Sequence, residues 1–280
     1  MSTQQFPVIG FIGAGNMATA LAGGLLAQGW PAPRIWLSDQ HLPQLQAHAE
    51  RGCRTTADNA ELVAAADIVV LAVKPQVMAA VLQPLAASVQ ARRPLIISIA
   101  AGLSVASLDA WLGGGQAIVR AMPNTPALVQ TGAAGLFAAD AVSHAHRQLA
   151  ERVLSAVGLA IWVEQESLID AVTAVSGSGP AYFFHLMEAM IAAGVQLGLG
   201  EREARALTLQ TALGAAQMAI TADVGPDELR RRVTSPKGTT EQALRVFQEA
   251  DFTTLVARAM TACADRGAEL AQELGAARHF

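Results

Sequence analysis

An apolar run that breaks into Gly13-Ala14-Gly15-Asn16-Met17-Ala18 and then turns helical leaves few folds open to this chain. A strand entering a G-x-G-x-x-A turn and leaving as a helix is the context of a dinucleotide-binding βαβ unit. Gly13 allows the tight turn, and Gly15 lets the backbone approach a pyrophosphate. Ala18 lets the helix lie close to the strand, and the amides at the helix start attract phosphate oxygens. A merely tight structural turn is the alternative, and the residues downstream of it decide between the two.

From Pro7 to about Trp162, short β-branched runs alternate with helical stretches, the pattern of a parallel sheet covered on both faces. The strands expected are Val8–Ile12, Ile35–Ser38, Ile68–Val73, Leu95–Ile99, Ala117–Ala121 and Ala134–Phe137. A helix from Asn16 to Gln28 follows the first strand, ended by Gly29. Beyond Glu164 the strand pattern stops, and helices are expected at roughly Ser167–Val175, Pro180–Leu197, Glu201–Thr221, Pro226–Val233, Thr239–Glu249 and Phe252–Leu274. The expected fold is thus an α/β Rossmann-type N-terminal domain, residues 1–163, followed by an all-α domain, residues 164–280, for substrate and dimerisation.

The helical half is unusually apolar. Ala206 to Ala222 and Ala189 to Gly200 carry no charge, so these helices must be buried on several sides. Only 15% of the whole chain is charged, against roughly 25% in ordinary soluble domains. A helical layer shared between subunits answers both facts, an unusually hydrophobic monomer core being the alternative. A formal charge of −4 gives no electrostatic footprint for nucleic acid. No run is long and apolar enough for a membrane span, and the first residues lack a basic segment before an apolar core. Two distant cysteines, Cys53 and Cys263, form neither a disulfide framework nor a zinc spacing, so a cytoplasmic protein without membrane or metal is expected.

Three further strands end in loops able to meet a ligand past the carboxyl edge of the sheet: Val73-Lys74-Pro75-Gln76, Ile99-Ala100-Ala101-Gly102 and Met122-Pro123-Asn124-Thr125-Pro126. Small residues at Ala100 and Ala101 admit a nicotinamide ribose, and Asn124 can hydrogen-bond its carboxamide. Lys74 is either a ligand of the cofactor or a solvated loop cation. Asp39, about twenty positions past the glycine turn, sits where an acid accepts from a ribose 2′-hydroxyl and marks NAD, or else is a strand-end turn acid.

The stretch Val233 to Leu244, VTSPKGTTEQAL, reads as a helix stop, a Pro-Lys-Gly turn and a new helix beginning at Thr239 or Thr240. Free amides with nearby hydroxyls suit a small carboxylate, while ordinary capping is the plainer account. His185, in a helix after Tyr182-Phe183-Phe184, reads as a core or interface residue rather than a base. No His–Asp–Ser or Cys–His arrangement is present, which points away from hydrolases.

Taken together, IGAGNMA, LAVKPQ, SIAAG, RAMPNTPA, DAVTAVSGSGPAY and VTSPKGTTEQAL resemble the pyrroline-5-carboxylate reductase family, in this order and over nearly the whole chain. The resemblance implies hydride transfer from NADPH, with NADH not excluded, to the C=N of 1-pyrroline-5-carboxylate, giving L-proline in the last step of proline biosynthesis. Such a reaction needs little acid–base help beyond a proton for the nitrogen. The resemblance also implies a homodimer, and a decamer of such dimers. It places the substrate carboxylate on Ser235, Gly238 and the amides of Thr239 and Thr240, with the Thr240 hydroxyl facing the ring nitrogen as the catalytic donor. Glu166 matches an acid lining the family's substrate site. Cofactor contacts carry onto Gly13, Ala14, Gly15, Asn16, Met17, Ser38, Asp39, Asn59, Ala72, Val73, Lys74, Pro75, Ala100 and Ala101. Two positions depart from the family: Lys237 stands where Gly, Ala or Asn is usual, and Asp39-Gln40 where Ser, Asn or Arg often serves a 2′-phosphate. The alternatives are a β-hydroxyacid-type dehydrogenase, which generally needs a helical lysine where this chain offers only the loop residue Lys237, and a non-catalytic NAD(P)-binding regulator, which would not need the polar loop.

Overall fold

The computed structural model describes residues 6–276. The chain divides into two compact units, one running to Ser178 and resuming at Cys263, the other from Gly179 to Ala262.

In the first unit, β1 (Ile9–Ile12), β2 (Ile35–Ser38), β3 (Arg54–Thr56), β4 (Ile68–Leu71), β5 (Leu95–Ser98), β6 (Ile118–Met122), β7 (Gly132–Ala138) and β8 (Gly158–Trp162) form one sheet in the order β3-β2-β1-β4-β5-β6-β7-β8. Helices α1 (Asn16–Ala27), α2 (Leu42–Glu50), α3 (Asn59–Ala65), α4 (Met78–Leu82), α5 (Ala86–Arg92), α6 (Val105–Trp111) and α7 (His144–Ser155) connect them. β1, β4 and β5 are buried throughout, which is why they read as continuous apolar runs rather than alternating ones. Two apolar layers result. One holds Phe11, Leu21 and Leu25, the other Leu62, Val69 and Met78.

All pairings are parallel except β6 with β7, which run antiparallel. The sheet is parallel-dominated, as expected from the sequence, and the one antiparallel pair has a simple reason. Residues 123–131 contain only a short 3₁₀ turn, Thr125–Val129, and a parallel return needs a longer crossover. β3 and β8 also lie outside the strands expected: Arg-Thr-Thr is too short and polar to stand out, and β8 is an edge strand with Leu159 and Ile161 exposed. After β8 come α8 (Leu168–Val172) and a π-helical turn at Thr173–Gly177. The wide turn runs into the SGSGPAY motif, and such turns favour functional sites.

The second unit is helical: α9 (Gly179–Gln196), α10 (Glu201–Thr221), α11 (Pro226–Arg232), α12 (Thr239–Glu249) and the first part of α13 (Phe252–Ala276). α9, α10 and the turn between them carry large apolar side chains in the open, with Phe183 64%, Leu197 88% and Ile220 82% exposed. A single chain leaves this surface uncovered. Among the described residues no helix is long and apolar enough to cross a membrane.

Candidate functional site

The strand order reverses between β1 and β4, and ligands of open α/β sheets bind past the carboxyl ends at such a switch point. Gly13 leaves β1 there with φ +96°, and its N–H donates to the Ser38 carbonyl at 2.8 Å. A Cβ at Gly13 would lie 2.8 Å from the Ala72 carbonyl oxygen, so this glycine is a condition of the fold. Gly15 differs. It caps α1 in extended conformation (φ −69°), and a Cβ there would meet nothing within 4 Å. The space in front of the helix start is therefore open, no acid occupies the first turn, and its amides lack helical partners. A pyrophosphate fits this cradle. Ala18 is buried against the sheet, while Asn16 and Met17 remain accessible.

Around this turn the structure gathers the other residues expected to meet the cofactor. Asp39, just past β2, accepts the Ala14 N–H on Oδ2 at 2.9 Å and the His41 N–H on Oδ1 at 2.8 Å. The buried Ser38 hydroxyl donates to Asn59 Oδ1 at 2.6 Å, joining the end of β2 to the start of α3. Ala72 donates to the Ile12 carbonyl at 2.9 Å, so Ala72-Val73-Lys74-Pro75 leaves β4 beside the glycine turn, with Lys74 exposed. Ala100 and Ala101 follow β5, the next strand along. Asn124 follows β6, and both ends of its side chain are bonded: Nδ2 donates to the Ser176 carbonyl at 3.0 Å, and Oδ1 accepts from Ala133 N at 2.9 Å. It thereby ties the β6 loop to β7 and to the π-helical turn.

Glu166 lies between β8 and α8. Its Oε1 accepts both Arg120 Nη1 and the Val105 N–H, each at 2.7 Å. Arg120, in the middle of β6, has a side chain only 7% exposed, against 31% for Glu166. Asp170 follows one helical turn later. Burial pushes its carboxyl above the usual range, Arg120 pulls it back, and Glu166 raises it further. Sequence reasoning passed over Arg120, although a guanidinium inside the apolar strand Ile-Val-Arg-Ala-Met is itself a signal that a carboxylate must reach it.

The second unit carries the other expected group. Ser235 to Gly238 form a turn closed by the Gly238 N–H donating to the Ser235 carbonyl at 3.0 Å. Lys237 sits at φ +60°, and its N–H donates to Glu241 Oε2 at 2.7 Å. Gly238 caps α12 with no side-chain bond, and a Cβ on it would come 2.9 Å from the Ser235 carbonyl. Thr239 and Thr240 open the helix, so their amides lack helical acceptors while the Ser235 hydroxyl stands on the exposed loop. Free amides at this helix start can meet a small anion beside the Glu241 carboxylate that takes the Lys237 N–H.

Comparison with known proteins covers both the sheet-bearing and the helical parts of the chain. Residues 166–270 match the family model described as pyrroline-5-carboxylate reductase dimerisation, and residues 8–102 match NADP oxidoreductase coenzyme F420-dependent. The chain is 57% identical over 270 residues to the pyrroline-5-carboxylate reductase of Pseudomonas aeruginosa, covering 96% of this chain and 98% of the relative. Among solved structures, the pyrroline-5-carboxylate reductase of Coxiella burnetii superposes with a TM-score of 0.92 at 44% identity, over 95% of this chain and 99% of that one. The Plasmodium falciparum pyrroline carboxylate reductase with NADP bound gives 0.84 at 28% identity, over 95% and 98%. A Rossmann sheet opening on a glycine turn and a helical dimerisation segment thus occur together in a chain that matches these relatives along nearly its whole length, and the chain belongs to the pyrroline-5-carboxylate reductase family, NAD(P)-dependent oxidoreductases acting on a cyclic imine.

Proposed function

We propose that this chain reduces 1-pyrroline-5-carboxylate to L-proline with NADPH or NADH, through the residues just described. The bound nicotinamide supplies the hydride that adds to the imine carbon. Gly13 to Met17 and the first amides of α1 hold the pyrophosphate, while Ser38, Asp39 and Asn59 line the adenosine side. Ala72 to Pro75, Ala100, Ala101 and Asn124 bound the nicotinamide side. Ser235, Gly238 and the amides of Thr239 and Thr240 hold the substrate carboxylate, with Glu166 as an acid of the substrate site. The Thr240 hydroxyl donates to the ring nitrogen, a modest role suited to an imine that is already electrophilic.

The observation that carries this assignment is the presence of both an unobstructed helix start at Gly15 and a second, uncapped helix start at Gly238 flanked by Ser235, Thr239 and Thr240. NAD(P)H oxidation with pyrroline-5-carboxylate tests it, and absence of turnover with both cofactors overturns it. In Thr240→Ala, cofactor binding is retained and the reduction rate falls. An unchanged rate removes Thr240 from the role.

Residues 1–163 act as the dinucleotide domain and 164–280 as the substrate and dimerisation domain, in a cytoplasmic homodimer that assembles further into a decamer. The exposed apolar side chains of α9 and α10 support association, since a monomer leaves them in water. Sedimentation at micromolar concentration tests this, and a monomer overturns it.

A further inference from the structure

We infer that Arg120 is a positioning residue for the reaction, acting through Glu166; the inference rests on Glu166 lining the substrate site. A guanidinium inside a buried strand is tolerated only when paired, and every neighbour of Arg120 along β6 is apolar. Its hydrogen-bonded acid is Glu166, met at one oxygen, with the Asp170 carboxyl also within its electrostatic reach. The same oxygen, Oε1 of Glu166, also takes the N–H of Val105, the first residue of α6. Two rigid elements therefore grip a single carboxylate oxygen from different directions. Both bonds fall on Oε1, and the side chain as a whole is part-exposed.

A doubly held Oε1 leaves the carboxylate one orientation, with Oε2 as the oxygen that can meet a ligand. A nitrogen-bearing substrate presents a matching group: once its ring nitrogen has taken up the proton that Thr240 helps to deliver, the N–H is a donor, and hydride addition at carbon then yields a neutral amine. Ser104 caps α6 through its side chain, and Gly102 just before it has a positive φ, so the Val105 amide is held in turn by the loop that contains Ala100 and Ala101. Arg120 and Val105 thus link the cofactor loop to the substrate acid through one oxygen atom.

Kinetics of Arg120→Met, Arg120→Lys, Glu166→Gln and the Arg120→Met/Glu166→Gln double variant test the inference. Arg120→Met should raise KM for pyrroline-5-carboxylate about tenfold, with NADPH dissociation unchanged, the scale of one charge-assisted bond. Arg120→Lys should recover most of the loss. The double variant should be no worse than Glu166→Gln within about twofold, because residues acting through one another are not additive. Multiplying losses, or a normal KM per folded enzyme in Arg120→Met, overturns the role. If Arg120→Met fails to fold, Val105→Pro removes the other bond at the first helical position, where proline is well tolerated. It should raise the same KM in the wild-type background and have no further effect in Glu166→Gln, and an unchanged KM overturns the inference. If Glu166→Gln alone turns over normally, Glu166 itself leaves the substrate site and the inference falls with it. If Glu166→Gln is impaired and Arg120→Met is not, only the role of Arg120 falls.

Discussion

The Ala14 N–H donates to Asp39 Oδ2 at 2.9 Å, so the acid that ends the second strand is tied directly to the glycine turn. With the His41 N–H on its other oxygen, the carboxylate is fixed in place, and Ser38 to His41 contain no lysine or arginine to offset it. In the proposed cofactor site a carboxylate at this position would accept a ribose hydroxyl and disfavour a 2′-phosphate, so it would narrow the margin by which NADPH is preferred over NADH. In Asp39→Ser, the ratio of kcat/KM with NADPH to that with NADH should rise about tenfold, the change equivalent to one modest charge interaction. Initial rates with both cofactors measure it, and an unchanged ratio removes Asp39 from cofactor choice.

The two glycines of the turn should fail in different ways. Gly13→Ala places a Cβ 2.8 Å from the Ala72 carbonyl at φ +96°, and strain of about 1–3 kcal/mol should lower the melting temperature by several degrees. Gly15→Ala meets no protein atom, so stability should change by less than about 1 kcal/mol. In the proposed cofactor site the methyl group would stand where the pyrophosphate approaches, so NADPH binding should weaken at least about tenfold. Thermal melts and fluorescence titration separate the two outcomes.

Lys237 adopts the left-handed conformation at φ +60°, which costs a side-chain-bearing residue about 1 kcal/mol. Glycine relieves that strain but gains freedom in the unfolded chain, leaving a net stabilisation of about 0.5 kcal/mol for Lys237→Gly. The expected result is a slightly higher melting temperature with kcat unchanged. A lower melting temperature would mean that the lysine side chain contributes more than its backbone costs.

Asp170 should make the fold less stable as pH rises. Burial raises its folded-state pKa above the ordinary aspartate value, against the pull of Arg120 and with the push of Glu166. The folded protein therefore holds this proton more tightly than the unfolded chain does. Stability falls as pH climbs from the ordinary value through the raised one, and the loss is complete above it. In Asp170→Asn that decline is absent, so the melting temperature of the variant minus that of wild type should grow across the window. A difference that stays flat with pH would contradict the sign.

Much of the fold was legible because its signals are local. β2 lies at Ile35–Ser38 as read, and α10 and α12 begin and end where the periodicity and caps placed them. β8 escaped notice because an edge strand with exposed Leu159 and Ile161 lacks the uniform burial that marked β1, β4 and β5. The direction of β7 escaped for another reason: strand propensity carries no sign, and only the short link through Thr125–Val129 sets it. The wide turn at Thr173–Gly177 has no periodicity that separates it from an ordinary helix.

The sequence alone determined that a glycine turn would stand between strand and helix, and that Ser235 to Thr240 would open another helix with polar atoms free. Glycine conformations, caps and periodicity act over a few residues and can be read in order. Only the tertiary structure decided that Arg120 and Val105 would close on Glu166, partners 46 and 61 positions away along the chain. A buried charge states that it needs a partner but not which one, because the choice depends on where the sheet and the start of α6 bring the backbone.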